Sequence, residues 1–269
     1  MLRRLLWLYR ILFARRAFQK FNLLVFNLGL AGMGVRNFET AAASGERRFL
    51  RDQMPLIGTG VVFDVGANIG NYSRRVREAN SSARIYAFEP HPATYRKLQD
   101  NVAGLHIEAV NAGAGSLRGT LHLYDYAEDD GSTHASLYLD VIEKIREKKA
   151  TVHEVKVVTL DDFAEQHGIT RVHLLKIDTE GYELEVLKGF RKHLEANQVD
   201  LIHFEFNDTN VVSRVFFKDF MELLPNYDFF RMLPNELAPI EKYHPLYCEI
   251  FTYQNLVARL RRGAGQSHQ

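Results

Sequence analysis

Cysteine is nearly absent: Cys248 is the single one among 269 residues. One thiol closes no intramolecular disulfide and has no neighbours with which to build a zinc site, so disulfide scaffolds and Cys-rich fingers are excluded, and a reducing compartment fits. Long apolar runs are missing too. The longest charge-free stretch near the start, residues 21–35, has 15 residues, three of them glycine and two asparagine. About 20 are needed to span a bilayer. The net charge of +1 lacks the excess of cations that general nucleic-acid binding requires. There is no G-x-G-x-x-G dinucleotide fingerprint, no N-P-P-Y motif of the kind that serves amino groups on bases, and no His-x-x-x-His or dense acidic cluster for a metal.

What is present centres on residues 61–73. An apolar, β-branched run, Val61, Val62 and Phe63, reads as a buried strand that breaks into a turn at Gly66 and Gly70 and then a helix. Glycine permits the sharp turn and a close approach of backbone to ligand. Strand, glycine turn and helix start form the first unit of a nucleotide-binding α/β domain. Asp64 stands ahead of the turn, where a carboxylate repels a diphosphate and suits a cationic or zwitterionic ligand. The next strand, residues 84–88, ends at Glu89, placed to accept ribose hydroxyls. Asp64, Gly66, Ala67, Asn68, Gly70, Tyr72, Ser73 and Glu89 form the expected cofactor set, and S-adenosylmethionine fits it better than NAD.

The strings VFDVGANIGNYS, FEPHPATYRKLQDN and LLKIDTEGYELEVLKGF, in that order within roughly residues 44–206, resemble the FkbM-type family of S-adenosylmethionine-dependent methyltransferases. The resemblance implies an α/β fold, a Rossmann-like seven-strand class I methyltransferase sheet with helices on both faces. It also implies, in most relatives, O-methylation, often of sugars in polysaccharides, glycolipids or natural products. It places Ser44, Gly45 and Glu46 near the cofactor pocket, although a helix start explains those residues equally well.

Downstream, residues 172–177 read as a central strand, apolar on both faces, that delivers Asp178 to the carboxyl edge of the sheet. Asp178 and Glu180 are the candidate catalytic carboxylates, Asp178 as base or metal ligand and Glu180 as the alternative. Capping of the following helix is the ordinary reading of the same residues. The strand 199–206 brings Glu205 to the same mouth as a candidate substrate contact or, with Asp178, a metal pair; His203 reads as a core histidine. His91 reads as a loop residue at the mouth, and Ala112 to Ala114 as backbone contacts to adenine. Residues 127–154 form a polar insertion in which Ser132, His134 and Ser136 are candidate acceptor contacts, with a solvated loop as the alternative. Two last strands are expected at 227–232 and 246–253, with 234–245 a long loop overhanging the acceptor site and 257–269 a frayed tail.

Residues 1–36 carry seven Arg and Lys residues and no acid, which against a total of +1 leaves −6 for the rest. Arg15, Arg16 and Lys20 interrupt the apolar stretch that a cleaved signal peptide would need. Two readings stay open: a basic amphipathic segment on an anionic membrane, or helices packed on the domain or on a second subunit. The expected organisation is a basic helical extension over residues 1–43, a methyltransferase domain over 44–256 and a tail over 257–269. The expected function is O-methylation of a sugar hydroxyl in a glycan, glycolipid or related natural product, in the cytoplasm or at a membrane periphery. An N-methyltransferase acting on a small amine and a non-catalytic scaffold are the rivals.

Overall fold

The computed structural model describes residues 1–127, 132 and 135–261. The chain opens with helices α1 (Leu2–Phe13) and α2 (Gln19–Gly32), followed by α3 (Glu46–Ile57). Alternation of strand and helix then builds β1 (Val61–Val65), α4 (Asn71–Ala79), β2 (Arg84–Phe88), α5 (Pro92–Val102) and β3 (Ile107–Val110). A small second sheet follows, made of β4 (Gly113–Ala114), β5 (Gly119–Tyr126) and β6 (Ala150–Val158) in the order β4-β6-β5. The main chain path resumes with α6 (Leu160–Gln166), β7 (Val172–Ile177), α7 (Glu183–Lys188), α8 (Arg191–Glu195), β8 (Val199–Phe206), α9 (Thr209–Ser213) and α10 (Phe217–Leu223). It closes with β9 (Tyr227–Met232), β10 (Leu237–Ile240), α11 (Pro245–Cys248) and β11 (Gln254–Leu260).

The main sheet runs β10-β9-β11-β8-β7-β1-β2-β3. From β3 to β8 the strands are parallel, and β11, β9 and β10 then alternate in direction. Strands β1 and β7 sit at the centre because they are apolar on both faces: every residue of β1 is buried, and His173 alone in β7 is not. Successive side chains point to opposite faces. Phe63 and Val65 therefore join one core with α6, α7 and α10, while Val62 joins the other with α3, α4 and α5.

The sheet has eight strands where seven were expected. The extra one is β10, which lies inside the stretch read as an overhanging loop and pairs with β9 along the sheet margin, where Pro239 is tolerated. The last strand is also displaced from its expected position. Pro245 and the His244 side chain, which accepts from Leu246 N, start the short helix α11, so the strand begins only at Gln254. Val257 and Ala258, expected in a frayed tail, are fully buried in β11. A strand enclosed on both faces has no polar alternation to announce it.

Helices α1 and α2 pair with each other through Tyr9 Oη donating to Asn22 Oδ1 at 2.6 Å and through the rings of Phe13, Phe18 and Phe21. Of their side chains only Leu30 is buried. Among the described residues no helix is long and apolar enough to cross a membrane.

Candidate cofactor and catalytic site

The site lies at the carboxyl edge of the main sheet, where β1, β2 and β7 end side by side. Gly66 follows β1 with φ +80°, and a Cβ there would fall 1.8 Å from the carbonyl oxygen of Asp178. Only glycine lets the two strand ends approach this closely. The turn then consumes its own amides. Gly66 N and Ala67 N donate to the Phe88 carbonyl at 3.0 and 2.9 Å, and Gly70 N donates to the Ala67 carbonyl. Asn68 N donates to Glu89 Oε2 at 2.9 Å, and Ile69 N to the Asn68 side chain. A phosphate-binding turn presents such amides to its ligand. Here none of the five is left for one.

A cavity of about 240 Å³ opens above this turn. Asp64, Gly66, Ala67, Asn68, Tyr72 and Glu89 line it, with Gly113 and Ala114 opposite and Asp178, Glu180 and Tyr182 at the rim. Its wall is acidic: Glu46, Asp64, Glu89, Asp178 and Glu180 outnumber Arg75 and Lys176, and both cations are paired with carboxylates. Burial pushes the Glu89 carboxyl up to about 7, against the pull of the His91 and Asn68 amides that it accepts. Burial likewise raises Asp64 to about 6, opposed by the Ser73 hydroxyl, 2.6 Å away, and by Lys176.

Two expected cofactor residues do other work. Gly70, at φ +87°, would place a Cβ 2.7 Å from Leu98 and 2.9 Å from Val102, so it lets α5 pack and does not line the cavity. Ser73 stands behind Asp64 and orients it. Tyr72 does line the cavity, but its hydroxyl is turned to His203 Nδ1 at 3.1 Å. His203 also meets Asn255 and is fully buried, in keeping with a core histidine.

The catalytic candidates separate. Asp178 reaches the cavity with 37% of its side chain exposed. Its Oδ2 lies 3.6 Å from Lys176 Nζ, which is 3.6 Å from Glu205 Oε1 on its other side. Lys176 is buried, and burial works against its charge, yet Asp178, Glu205 and Glu46 together hold its pKa above the ordinary lysine value. Glu205 therefore faces an ammonium inside the fold and does not line the cavity, which corrects its reading as a substrate contact. Burial, reinforced by Asp178, raises its pKa. The pairing of Asp178 with Glu205 around a metal is also corrected, because a lysine ammonium stands between them. Among the described residues no three His, Cys, Asp or Glu side chains converge as a metal site. Glu180, with φ +49°, is turned to Arg146, which also meets Asp208 at 3.6 Å.

Two described residues of the insertion, Ser132 and Ser136, are bonded to the rest of the domain. Ser132 donates through N, at 2.9 Å, and through Oγ to Asp125, and its carbonyl accepts from Asn68 Nδ2 at 3.3 Å. Ser132 is thus pinned to the cofactor turn. Ser136 Oγ donates to the Glu180 carbonyl at 2.8 Å. His134 lies outside the described residues. His91, expected in a surface loop, is 1% exposed. Its Nδ1 accepts from Ala93 N and Thr94 N as the cap of α5, and its Nε2 faces Asp125 at 3.7 Å. Glu46 lines the cavity and holds Arg75 at 2.6 Å. Lys176, Arg75 and Asp125 take part in the site without any motif in the sequence assigning them to it. The one usable signal was a lone cation inside the apolar strand VHLLKI.

Residues 64–230 match the family model described as the methyltransferase FkbM domain. The chain belongs to the FkbM methyltransferase family. Methyltransferase 1 of Beauveria bassiana (strain ARSEF 2860) is 32% identical over 165 residues, covering 56% of this chain and 65% of that protein. The 31-O-demethyl-FK506 methyltransferase FkbM of Streptomyces tacrolimicus is 32% identical over 167 residues, covering 54% and 64%. Hexuronic acid methyltransferase AglP of Haloferax volcanii is 28% identical over 139 residues, covering 51% and 52%. This FkbM chain thus spans about half to two thirds of the length of those relatives.

Proposed function

We propose that this FkbM-family chain is an O-methyltransferase that uses S-adenosylmethionine and acts on a sugar hydroxyl of a glycan, glycolipid or related natural product. One observation carries the cofactor reading: an acid-walled cavity at the end of β1 and β2 whose turn amides are all consumed internally. Such a wall suits a sulfonium and an ammonium and repels a pyrophosphate. The names of two relatives, a hexuronic acid methyltransferase and a 31-O-demethyl-FK506 methyltransferase, support oxygen as the acceptor and a sugar as its bearer.

When bound, S-adenosylmethionine supplies a methyl group on positively charged sulfur. Glu89 would hold the ribose hydroxyls with the lone pairs left after its two amide bonds. Gly113 and Ala114 would supply backbone lining for the base, and Asp64 would supply buried negative charge for the positively charged sulfur. Asp178 is the residue placed to take the proton of the acceptor hydroxyl, a role worth roughly 10²–10⁴-fold in rate. Lys176 fixes the Asp178 carboxylate from beneath.

Asp178→Asn tests the assignment. Binding of S-adenosylhomocysteine by calorimetry is expected to survive while turnover falls on the order of 10²-fold or more. Full turnover in that variant would remove Asp178 from the role. Methyl-label transfer to glycan extracts of a strain lacking this protein tests the acceptor, and label confined to small amines would overturn it.

A further inference from the structure

The α1–α2 hairpin carries an apolar surface that the domain leaves uncovered. Leu2, Trp7, Phe26 and Leu28 are about three-fifths or more exposed, at 66%, 64%, 59% and 63%. At 100° per residue, Leu2, Leu5, Leu6, Leu8 and Leu12 gather on one side of α1, while Arg3, Arg4 and Arg10 share the other side with Trp7 and Ile11, a mixed arc suited to the headgroup level. All seven cations of residues 1–36 are exposed, and none is paired with an acid among the described residues. Within the two helices only Leu30 is buried.

Charge decides what covers this face. A second copy docked hairpin to hairpin would bring seven cations against seven, with no acid in the segment to offset them. An anionic bilayer answers both features at once, since the acyl boundary takes the leucines and aromatics and the headgroups take the arginines. The hairpin is also rooted beside the candidate site. Val35 bridges to Gln254, and Arg36 N donates to the Tyr253 carbonyl at 2.7 Å. Gln254 faces Phe206 at the carboxyl end of β8, the same sheet edge that carries the cavity. We propose that residues 1–36 seat this protein in the plane of an anionic membrane surface, with the cavity's edge of the sheet next to it.

Trp7, the single tryptophan of the chain, gives a local readout. The full chain is titrated with vesicles of phosphatidylcholine alone and of phosphatidylcholine with phosphatidylglycerol, following Trp7 emission and co-sedimentation. Blue-shifted emission and sedimentation are expected with the anionic vesicles, weakening as salt is added. Replacing Arg15 and Arg16 with alanine is expected to lower partitioning roughly 30-fold, at about 1 kcal/mol per cation. Retained S-adenosylhomocysteine binding shows that the variant is folded. Equal binding to both vesicles, or no shift on the anionic ones, overturns the proposal. So does a shift that grows with protein concentration without vesicles and accompanies a dimer mass, because a second copy then takes the face.

Discussion

Lys176→Met removes the one cation shared by Asp178 and Glu205. In the native protein Nζ lies 3.6 Å from an oxygen of each, and the lysine side chain is 3% exposed. Asp178 is more than a third exposed, so solvent screens its half of the pairing and little stability is assigned there. Glu205 is different. It is largely buried and would lose the one cation that neighbours it among the described residues, while still facing Asp178. Stranding a buried charge in this way costs about 3–5 kcal/mol. That is a large part of the roughly 5–15 kcal/mol of a typical domain, and it corresponds to a fall in melting temperature on the order of 10 °C. Glu205→Gln added to Lys176→Met removes the stranded charge and is expected to return most of the loss. Urea unfolding followed by circular dichroism at pH 7.5 measures both. The penalty of the single variant is expected to shrink as pH falls, because the Glu205 carboxyl, its folded pKa raised further without lysine, then takes up a proton. A single-variant cost below about 1 kcal/mol, or no recovery in the double variant, would refute the assignment of Lys176 as counter-ion.

Glu89→Gln keeps the volume but weakens hydrogen bonds to the ribose, and a loss of about 1.5–3 kcal/mol predicts roughly 10- to 150-fold weaker S-adenosylhomocysteine in calorimetry. Unchanged affinity would show that Glu89 does not hold the cofactor. Asp64 and Glu89 have folded pKa values of about 6 and about 7, above their unfolded values, so the folded state binds more protons in that window. Their contribution to stability therefore falls as pH rises from about 4 to about 7. Ligand binding near pH 6.5 is expected to release protons, seen as a buffer-dependent binding enthalpy that vanishes above pH 8. Gly66→Ala forces a Cβ against the Asp178 carbonyl at a positive φ, and a cost of about 2–5 kcal/mol is expected in thermal unfolding. An unchanged melting temperature would contradict the close approach of β1 and β7.

The parts of this protein legible in its sequence are those fixed by neighbours in the chain. The strand, the Gly66 turn, Glu89 and Asp178 all lie at strand ends, where local pattern and position coincide. Gly66, Glu89 and Asp178 line one cavity. What was not legible depends on register between distant strands. Lys176 meets Glu205 only because β7 and β8 pair with Lys176 opposite His203, two residues before it. Gly70 looked like a ligand contact because its partners, Leu98 and Val102, belong to a helix some thirty residues on. Ser132 and Ser136 read as acceptor contacts because the groups they bond, Asp125 and the Glu180 carbonyl, lie outside the insertion.

The position of β11 has a consequence for synthesis. Residues 254–260 leave the ribosome after the other described strands of the main sheet, yet their place is between β8 and β9, inside it. Until they arrive, β8 offers an unpaired flank, and the half-made sheet is a template for a stray strand from another nascent chain. Entry of β11 must separate or forestall any premature pairing of β8 with β9, so completion of this sheet waits on those seven residues.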